Sequence, residues 1–334
     1  MTDKKTSALT KISIENVSRE EWLELRKSGI GGSDAAAIVG LNDYASPWSV
    51  WADKDGMIPE KPDSEAMRIG RDLEDYVAKR FTEASGYKVQ KSNFMYKNEK
   101  YPWALANIDR KLVTAGKAGL ECKTTSAWNI KHYKGGSFPD RFYCQCVHYM
   151  AVLEMTRWYL AVLVLGEGLH IFQMTTIKHD VTPEWCEGSV YVDRQEIDAL
   201  MDAEKAFWED HVLTGIPPAA DGTKATSAAV SAVMGNGEYD AEIPMRCETA
   251  IRNYIELGKQ VKLLEKEQEK WKQEILISMN GYQRGTCGGY RVTNQPTSRA
   301  TFQHGLFQHD FPQFDYSGYY KTTTSTRFTI KEVK

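Results

Sequence analysis

No apolar run in the 334 residues approaches the ~18 to 20 that a membrane-crossing helix requires. The nearest, WYLAVLVL at Trp158 to Leu165, has the length of a strand and reads as a buried one. The first residues, MTDKKTSALTKIS, carry lysines but no apolar stretch of the kind that directs secretion, so a cytoplasmic protein is expected. Cysteine is sparse and scattered, with six residues at 122, 144, 146, 186, 247 and 287. Only Cys144-x-Cys146 is a close pair, and it has neither zinc-ribbon nor CxxC redox spacing, so reduced thiols without a ligand role are expected. An excess of one charge is also missing: the formal net charge of −3 argues against a surface that binds nucleic acid everywhere. No GxxxxGK[ST] occurs, which excludes a P-loop. Gly29-x-Gly31 has Asp34 where the third glycine of a dinucleotide loop would stand, and a helix is expected before it where that motif needs a strand.

What is present is unevenly distributed. Between Gly86 and Lys134 there are ten basic residues against three acidic ones, Glu99, Asp109 and Glu121. A local positive field therefore surrounds a few carboxylates.

Periodicity and capping signals give an alternating order of elements. Ser18 to Ser28 predicts a short helix, Ser33 to Gly40 a second one capped by Ser33, and Asp63 to Gly86 a longer one with Met67, Leu73, Val77 and Phe81 on its apolar face. Strands are expected in YKVQKSNFMY, WALANIDRKLV and GLECKTTS, then a helix in FYCQCVHYMAVLEM. A hairpin of WYLAVLVL with LHIFQMTTI turns at Gly166-Glu167-Gly168, and a helix over roughly 183–211 closes the unit. This order predicts an α+β or mixed α/β core rather than a repeating parallel array. The Gly-, Pro-, Ala- and Ser-rich stretch at 221–245 reads as a linker between a core at 1–220 and an extension at 246–334. In that extension Tyr254, Leu257, Val261, Leu264, Gln268, Trp271 and Ile275 mark a heptad helix over about 247–279, whose stripe must be buried on something. GGYRVTN and STRFTIKEV predict a small β element after it.

The chemistry concentrates at Asp109 and Glu121-Cys122-Lys123. A hairpin turning on Thr114-Ala115-Gly116 places Asp109 opposite Glu121, and Glu121 and Lys123 share one face because strand side chains alternate with period two. Two carboxylates on adjacent strands are hard ligands suited to Mg²⁺ or Mn²⁺, which could bind a scissile phosphate and acidify a water. Lys123 would then orient that water or offset developing charge. A bare D…ExK string fits a solvated salt bridge as well, but it has company. Glu74, on the long helix, could turn its carboxylate to the strands, and Gln145 and Tyr149 are one helical turn apart beside them. His148 on the same helix reads as a core residue.

In order along residues 18–180, LRKSGIGGSDAAAIVG, GRDLEDYVAKRF, ANIDRKL, LECKTTS and YCQCVHYMAVL resemble the lambda-exonuclease-like, or YqaJ-type viral recombinase, family of the PD-(D/E)xK nuclease superfamily. Ile108-Asp109 stands for the family's PD. The resemblance implies a restriction-endonuclease-like core, with a central mixed sheet flanked by helices, carrying a C-terminal helical and β extension. It implies a Mg²⁺-dependent exonuclease that degrades the 5′ strand of double-stranded DNA from its ends. The resulting 3′ overhangs would pass to a single-strand-annealing protein in a phage-type recombination system of a bacterial host. A trimeric ring is the expected assembly. Carried over by position, Asp109 and Glu121 become metal ligands, with Glu74 and the Cys122 carbonyl as further ones. Lys123 becomes the lysine of the reaction, and Gln145 and Tyr149 support the site. Two other readings stand beside it: a structure-specific or restriction-type endonuclease of the same superfamily, and a non-catalytic DNA-binding or assembly module.

The glycine loop gains a ligand from the same resemblance. By itself it offers helix-terminal amides, a close approach at glycine, the Ser33 hydroxyl and Arg26. The family's matching arginine and serine bind the terminal 5′-phosphate.

Overall fold

The apolar run at 158–165 forms the spine of a mixed sheet, and the parity of its side chains sets where everything else lies. The computed structural model describes residues 8–59, 63–114, 116–234, 243–315, 318 and 330, in two units, Met1–Gly237 and Glu238–Lys334. The first unit begins with β1 (Leu9–Ser13), α1 (Arg19–Lys27), β2 (Ile30–Gly31), α2 (Gly32–Ile38), α3 (Pro47–Lys54) and α4 (Glu65–Ser85). Then follow β3 (Val89–Lys91), β4 (Phe94–Asn98), β5 (Tyr101–Asn107), β6 (Arg110–Leu112), β7 (Ala118–Ser126), a 3₁₀ segment at Ala127–Tyr133 and α5 (Asp140–Leu153). The unit ends with β8 (Arg157–Leu165), β9 (Gly168–Thr175), β10 (Gly188–Tyr191), α6 (Arg194–Phe207) and α7 (Lys224–Met234).

The larger sheet runs β10-β9-β8-β7-β6-β3, with β7/β8 and β9/β10 parallel and the other pairs antiparallel. A smaller sheet runs β1-β4-β5-β2. On β8, Trp158, Leu160, Val162 and Val164 pack with α5, whereas Tyr159, Ala161 and Leu163 pack with Val77 and Phe81 of α4. On β7, Ala118, Leu120 and Cys122 join the α4 side. Alternation therefore turns Glu121 and Lys123 to the α5 side, and Glu121 is registered with Leu160 there. This is the mixed α/β architecture, a central mixed sheet between helices, that the element order predicts. At Gly119 the sheet admits no side chain, since a Cβ would stand 2.3 Å from the Trp158 ring.

Several expectations are corrected in detail. YKVQKSNFMY and WALANIDRKLV each break in two, because β4 and β5 join the smaller sheet while β3 and β6 join the larger. Gly31, not Ser33, is the N-cap of α2, and its amide donates to the Asp34 carboxylate (3.0 Å), which leaves Ser33 inside the first turn with its hydroxyl exposed. Met67 is exposed on α4, since the helix meets the sheet only from Leu73 onward. The closing helix starts at Arg194, where Asp193 and Glu196 form a capping box, and residues 188–191 before it add a strand to the sheet. Part of the expected linker is α7, which buries Thr226 and Ala229; Thr226 Oγ1 donates to Ser46 Oγ at 2.7 Å, at the start of α3. An alanine-rich helix with one apolar stripe looks like linker by composition but packs like core.

In the second unit, α8 (Cys247–Met279) covers the predicted heptad helix and is followed by a hairpin of β11 (Arg284–Cys287) and β12 (Tyr290–Thr293) and by α9 (His304–Asp310). No residue of α8 is buried among the described residues, so its stripe is left uncovered. STRFTIKEV lies outside the described residues except for Ile330, as does Ala115 of the expected turn.

Candidate active site

The β6–β7 register pairs Arg110 with Leu120 and Lys111 with Gly119, so the next pair along is Asp109 and Glu121, the predicted juxtaposition. The Cys122 amide donates to Asp109 Oδ2 at 2.8 Å and ties the carboxylate to the neighbouring strand. Lys123 Nζ lies 2.7 Å from Glu121 Oε1, consistent with a shared strand face. From α5, Gln145 Nε2 donates to the same Glu121 oxygen at 2.7 Å and reaches the Tyr149 hydroxyl at 3.1 Å. Asp109, Glu121, Lys123, Gln145 and Tyr149 are thus brought together.

The electrostatics are those of an under-compensated anionic site. Burial, and then the charge of Glu121, hold the Asp109 carboxyl well above its usual range. Burial also raises Glu121, against the pull of Lys123 and Gln145. For Lys123 burial acts downward, but Glu121 and Asp109 outweigh it, and the ammonium is held on its proton above the ordinary lysine range. Glu121 Oε2 is buried with no hydrogen-bond partner. An orphaned carboxylate oxygen beside a second carboxylate is the donor set a hard divalent cation takes, so Asp109 and Glu121 fit such an ion.

Glu74 does not complete a ligand set in this arrangement. Its Oε1 accepts from Arg110 Nη1 at 2.6 Å, and Arg110 also pairs with Asp75. Among the described residues no three His, Cys, Asp or Glu side chains are arranged to hold a metal ion. The sequence reading missed Arg110. Its signal was available: it alternates with Asp109 and so faces α4, where Glu74 and Asp75 are the nearest acids.

The glycine loop reaches the same place. A cavity of about 190 Å³ is lined by Trp22, Arg26, Gly31, Gly32 and Ser33 on one side and by Asn107, Asp109, Glu121, Gln145 and Tyr149 on the other. Arg26 Nη2 donates to Ser33 Oγ at 3.2 Å and lies 3.5 Å from Asp34 Oδ1. The second Asp34 oxygen meets buried Lys54 at 2.7 Å, and Lys54 also donates to the Arg26 carbonyl at 3.0 Å. Burial acts to raise Asp34, but Lys54 and Arg26 overcome it and keep it ionised. In the sequence Asp34 reads only as the residue that breaks the dinucleotide pattern, and its partner Lys54 lies on α3, an element the pattern does not reveal. His148 is a core residue as expected, with Nδ1 2.8 Å from Glu204 and Nε2 2.9 Å from the Leu105 carbonyl.

A YqaJ-like viral recombinase domain matches residues 21–156. The chain is 34% identical over 338 residues to the YqaJ protein of Bacillus subtilis (strain 168), an alignment that covers 100% of both. Among solved structures it is similar to the alkaline exonuclease LHK-Exo from Laribacter hongkongensis. The complex of that protein with dAMP aligns at 15% identity over 64% of this chain and 100% of the other, with a TM-score of 0.47. A phage-related exonuclease from Haemophilus somnus 129PT aligns at 12% identity over 58% of this chain and 99% of the other, with a TM-score of 0.36.

Proposed function

The chain belongs to the YqaJ-like viral recombinase family, and from that premise we propose that it is a metal-dependent 5′-to-3′ exonuclease on the ends of double-stranded DNA. It would leave 3′ overhangs for a single-strand-annealing partner. The observation that carries this reading is the single cavity shared by an anion-ready loop and a buried carboxylate pair. A nuclease that cut internally would need the carboxylates but no anchor for a terminal phosphate.

In this reading Arg26, Ser33 and the first amides of α2 hold the 5′-phosphate. The bond to be cut is thereby fixed against Asp109 and Glu121, and the order of cutting follows from where the end is held. Mg²⁺, or Mn²⁺, held by Asp109, Glu121 and the Cys122 carbonyl would polarise the phosphate and acidify a water. Lys123, retained as a cation, stabilises the negative charge that develops on the phosphate and is not the proton acceptor. Gln145 fixes the rotamer of Glu121, and Tyr149 fixes Gln145. Glu74 acts through Arg110, which it orients on β6, and adds negative charge at the edge of the site. The uncovered stripe of α8 is the surface offered for assembly, with copies of the chain in a ring or with the annealing partner.

The test is digestion in Mg²⁺ of linear duplexes with and without a 5′-phosphate, each strand carrying its own label. Shortening of the 5′ strand, preference for the phosphorylated end and resistance of covalently closed circles are expected. Loss of the 3′ strand first, or cutting of closed circles, overturns the reading.

A further inference from the structure

A second feature begins where the ammonium of Lys123 leaves the active site. Its Nζ stands 5.4 Å from the ring centroid of Phe142, the third residue of α5 and one turn before Gln145. The Arg141 guanidinium carbon lies 4.5 Å from that same ring and 5.2 Å from the ring of Tyr44. Tyr44, in the loop between α2 and α3, is 75% exposed. A ladder of cation, ring, cation, ring thus runs outward from Glu121 to the surface. The buried Tyr133 phenol lies near both cations: burial raises it, while Arg141 and Lys123 pull it back. Among the described residues Arg141 forms no ion pair. An unpaired guanidinium set against two aromatic rings lacks an anion, and an exposed tyrosine ring beside it lacks a stacking partner.

We propose that Tyr44, Arg141 and Phe142 form a binding surface for single-stranded DNA, with a base stacked on Tyr44 and a backbone phosphate on Arg141. The proposal rests on the exonuclease reading for its direction, since a strand held there continues to Lys123. A duplex hides its base faces inside the stack and would be met by lysines along its backbone. Away from a duplex end, an unpaired strand is what offers a π-face to Tyr44 and a phosphate to Arg141 together. Arg141 and Phe142 share α5 with Gln145, which supports Glu121, so the phosphate contact and the site geometry are set by the same rigid element, with Tyr44 facing it from the α2–α3 loop.

The test is equilibrium binding, in EDTA so that nothing is cut, of a fluorescent oligothymidylate and of a blunt duplex to the full chain and to Tyr44→Ala, Tyr44→Phe and Arg141→Gln. Tyr44→Ala and Arg141→Gln should each weaken oligothymidylate binding by roughly tenfold, Tyr44→Phe should restore it, and blunt-duplex binding should change little. Unchanged oligothymidylate binding by Tyr44→Ala overturns the proposal, as does equal loss on both DNAs, which would mark a plain phosphate contact. Cleavage of linear duplex by the unsubstituted protein is measured alongside. Persistent end-dependent cleavage with no effect of Tyr44→Ala sinks only this surface; no cleavage at all sinks the exonuclease reading instead.

Discussion

A Cβ placed on Gly32 would stand 2.6 Å from Cε1 of Tyr149, so the ring of Tyr149 lies directly against the backbone of the glycine loop. The same tyrosine takes a hydrogen bond from Gln145, which holds Glu121. The phosphate loop and the carboxylate site are therefore one packed assembly. Gly32→Ala should push the ring away, lower stability by about 1–3 kcal/mol and slow cleavage by about a hundredfold through misplacement of Glu121. A thermal melt and a single-turnover assay check both, and unaltered cleavage with normal stability would show that the contact is slack.

Asp109 is held uncharged-leaning by burial and by Glu121, and its pKa is raised in the folded protein. A carboxyl with a raised folded pKa loses stability as pH rises from its unfolded value up to its folded one, because the unfolded chain ionises first, and the penalty stays constant above that. Asp109→Asn should therefore raise the melting temperature at neutral pH while abolishing cleavage. Added Mg²⁺ should stabilise the unsubstituted protein and leave Asp109→Asn unmoved. A melt in which Asp109→Asn is the less stable protein would contradict the electrostatic account.

Much of this assembly is legible in the sequence alone. The Asp109–Glu121 pairing followed from turn symmetry, and Lys123 from strand parity, because both depend only on local geometry and the period of two. Helix α4 and α8 were visible through caps and long periodic faces. What stayed hidden were relations that need tertiary position. Strand alternation turns Arg110 toward α4 but does not say that Glu74 and Asp75 meet it there, and nothing periodic places Lys54 under Asp34, since each ion pair depends on how two separate elements pack. Helix α7 was hidden for another reason: Ala, Ser and Thr look like linker until Ala229 is seen against the tryptophans of α3.

Arg26 is held from behind by Asp34, which Lys54 holds in turn. Arg26→Ala should slow digestion about ten- to a hundredfold on 5′-phosphorylated ends, the worth of a charged hydrogen bond, and far less on 5′-hydroxyl ends. Asp34→Asn should show the same selectivity in weaker form, chiefly in KM. Equal losses on the two ends would mean that the loop does not read the phosphate.

Because α7 packs on α3 and the first unit runs to Gly237, a chain ending there should fold, whereas one ending at residue 220 should be less stable by about 1–3 kcal/mol. Chemical denaturation of the two truncations decides between them. Equal stability would return residues 224–234 to the role of linker.

His148 and Glu204 form a buried pair in which both imidazole nitrogens face acceptors, Glu204 Oε1 and the Leu105 carbonyl. The Leu105 carbonyl takes the Nε2 proton, and a second proton is shared between Nδ1 and Glu204 Oε1, whose own carboxyl is raised by burial. Burial acts to lower the His148 pKa, but Glu204 and the Leu105 carbonyl raise it above the ordinary 6.5. A histidine with a raised folded pKa stabilises fully below its unfolded value and loses that contribution as pH rises through the folded one. The stability advantage of the protein over a His148→Gln variant should therefore be largest below pH 6.5, at about 3–5 kcal/mol for a broken buried pair, and should shrink with increasing pH. Melts of both proteins across the range measure it. An advantage that grows toward alkaline pH would mean that a neutral ring is the stable form and that the pair is not ionic.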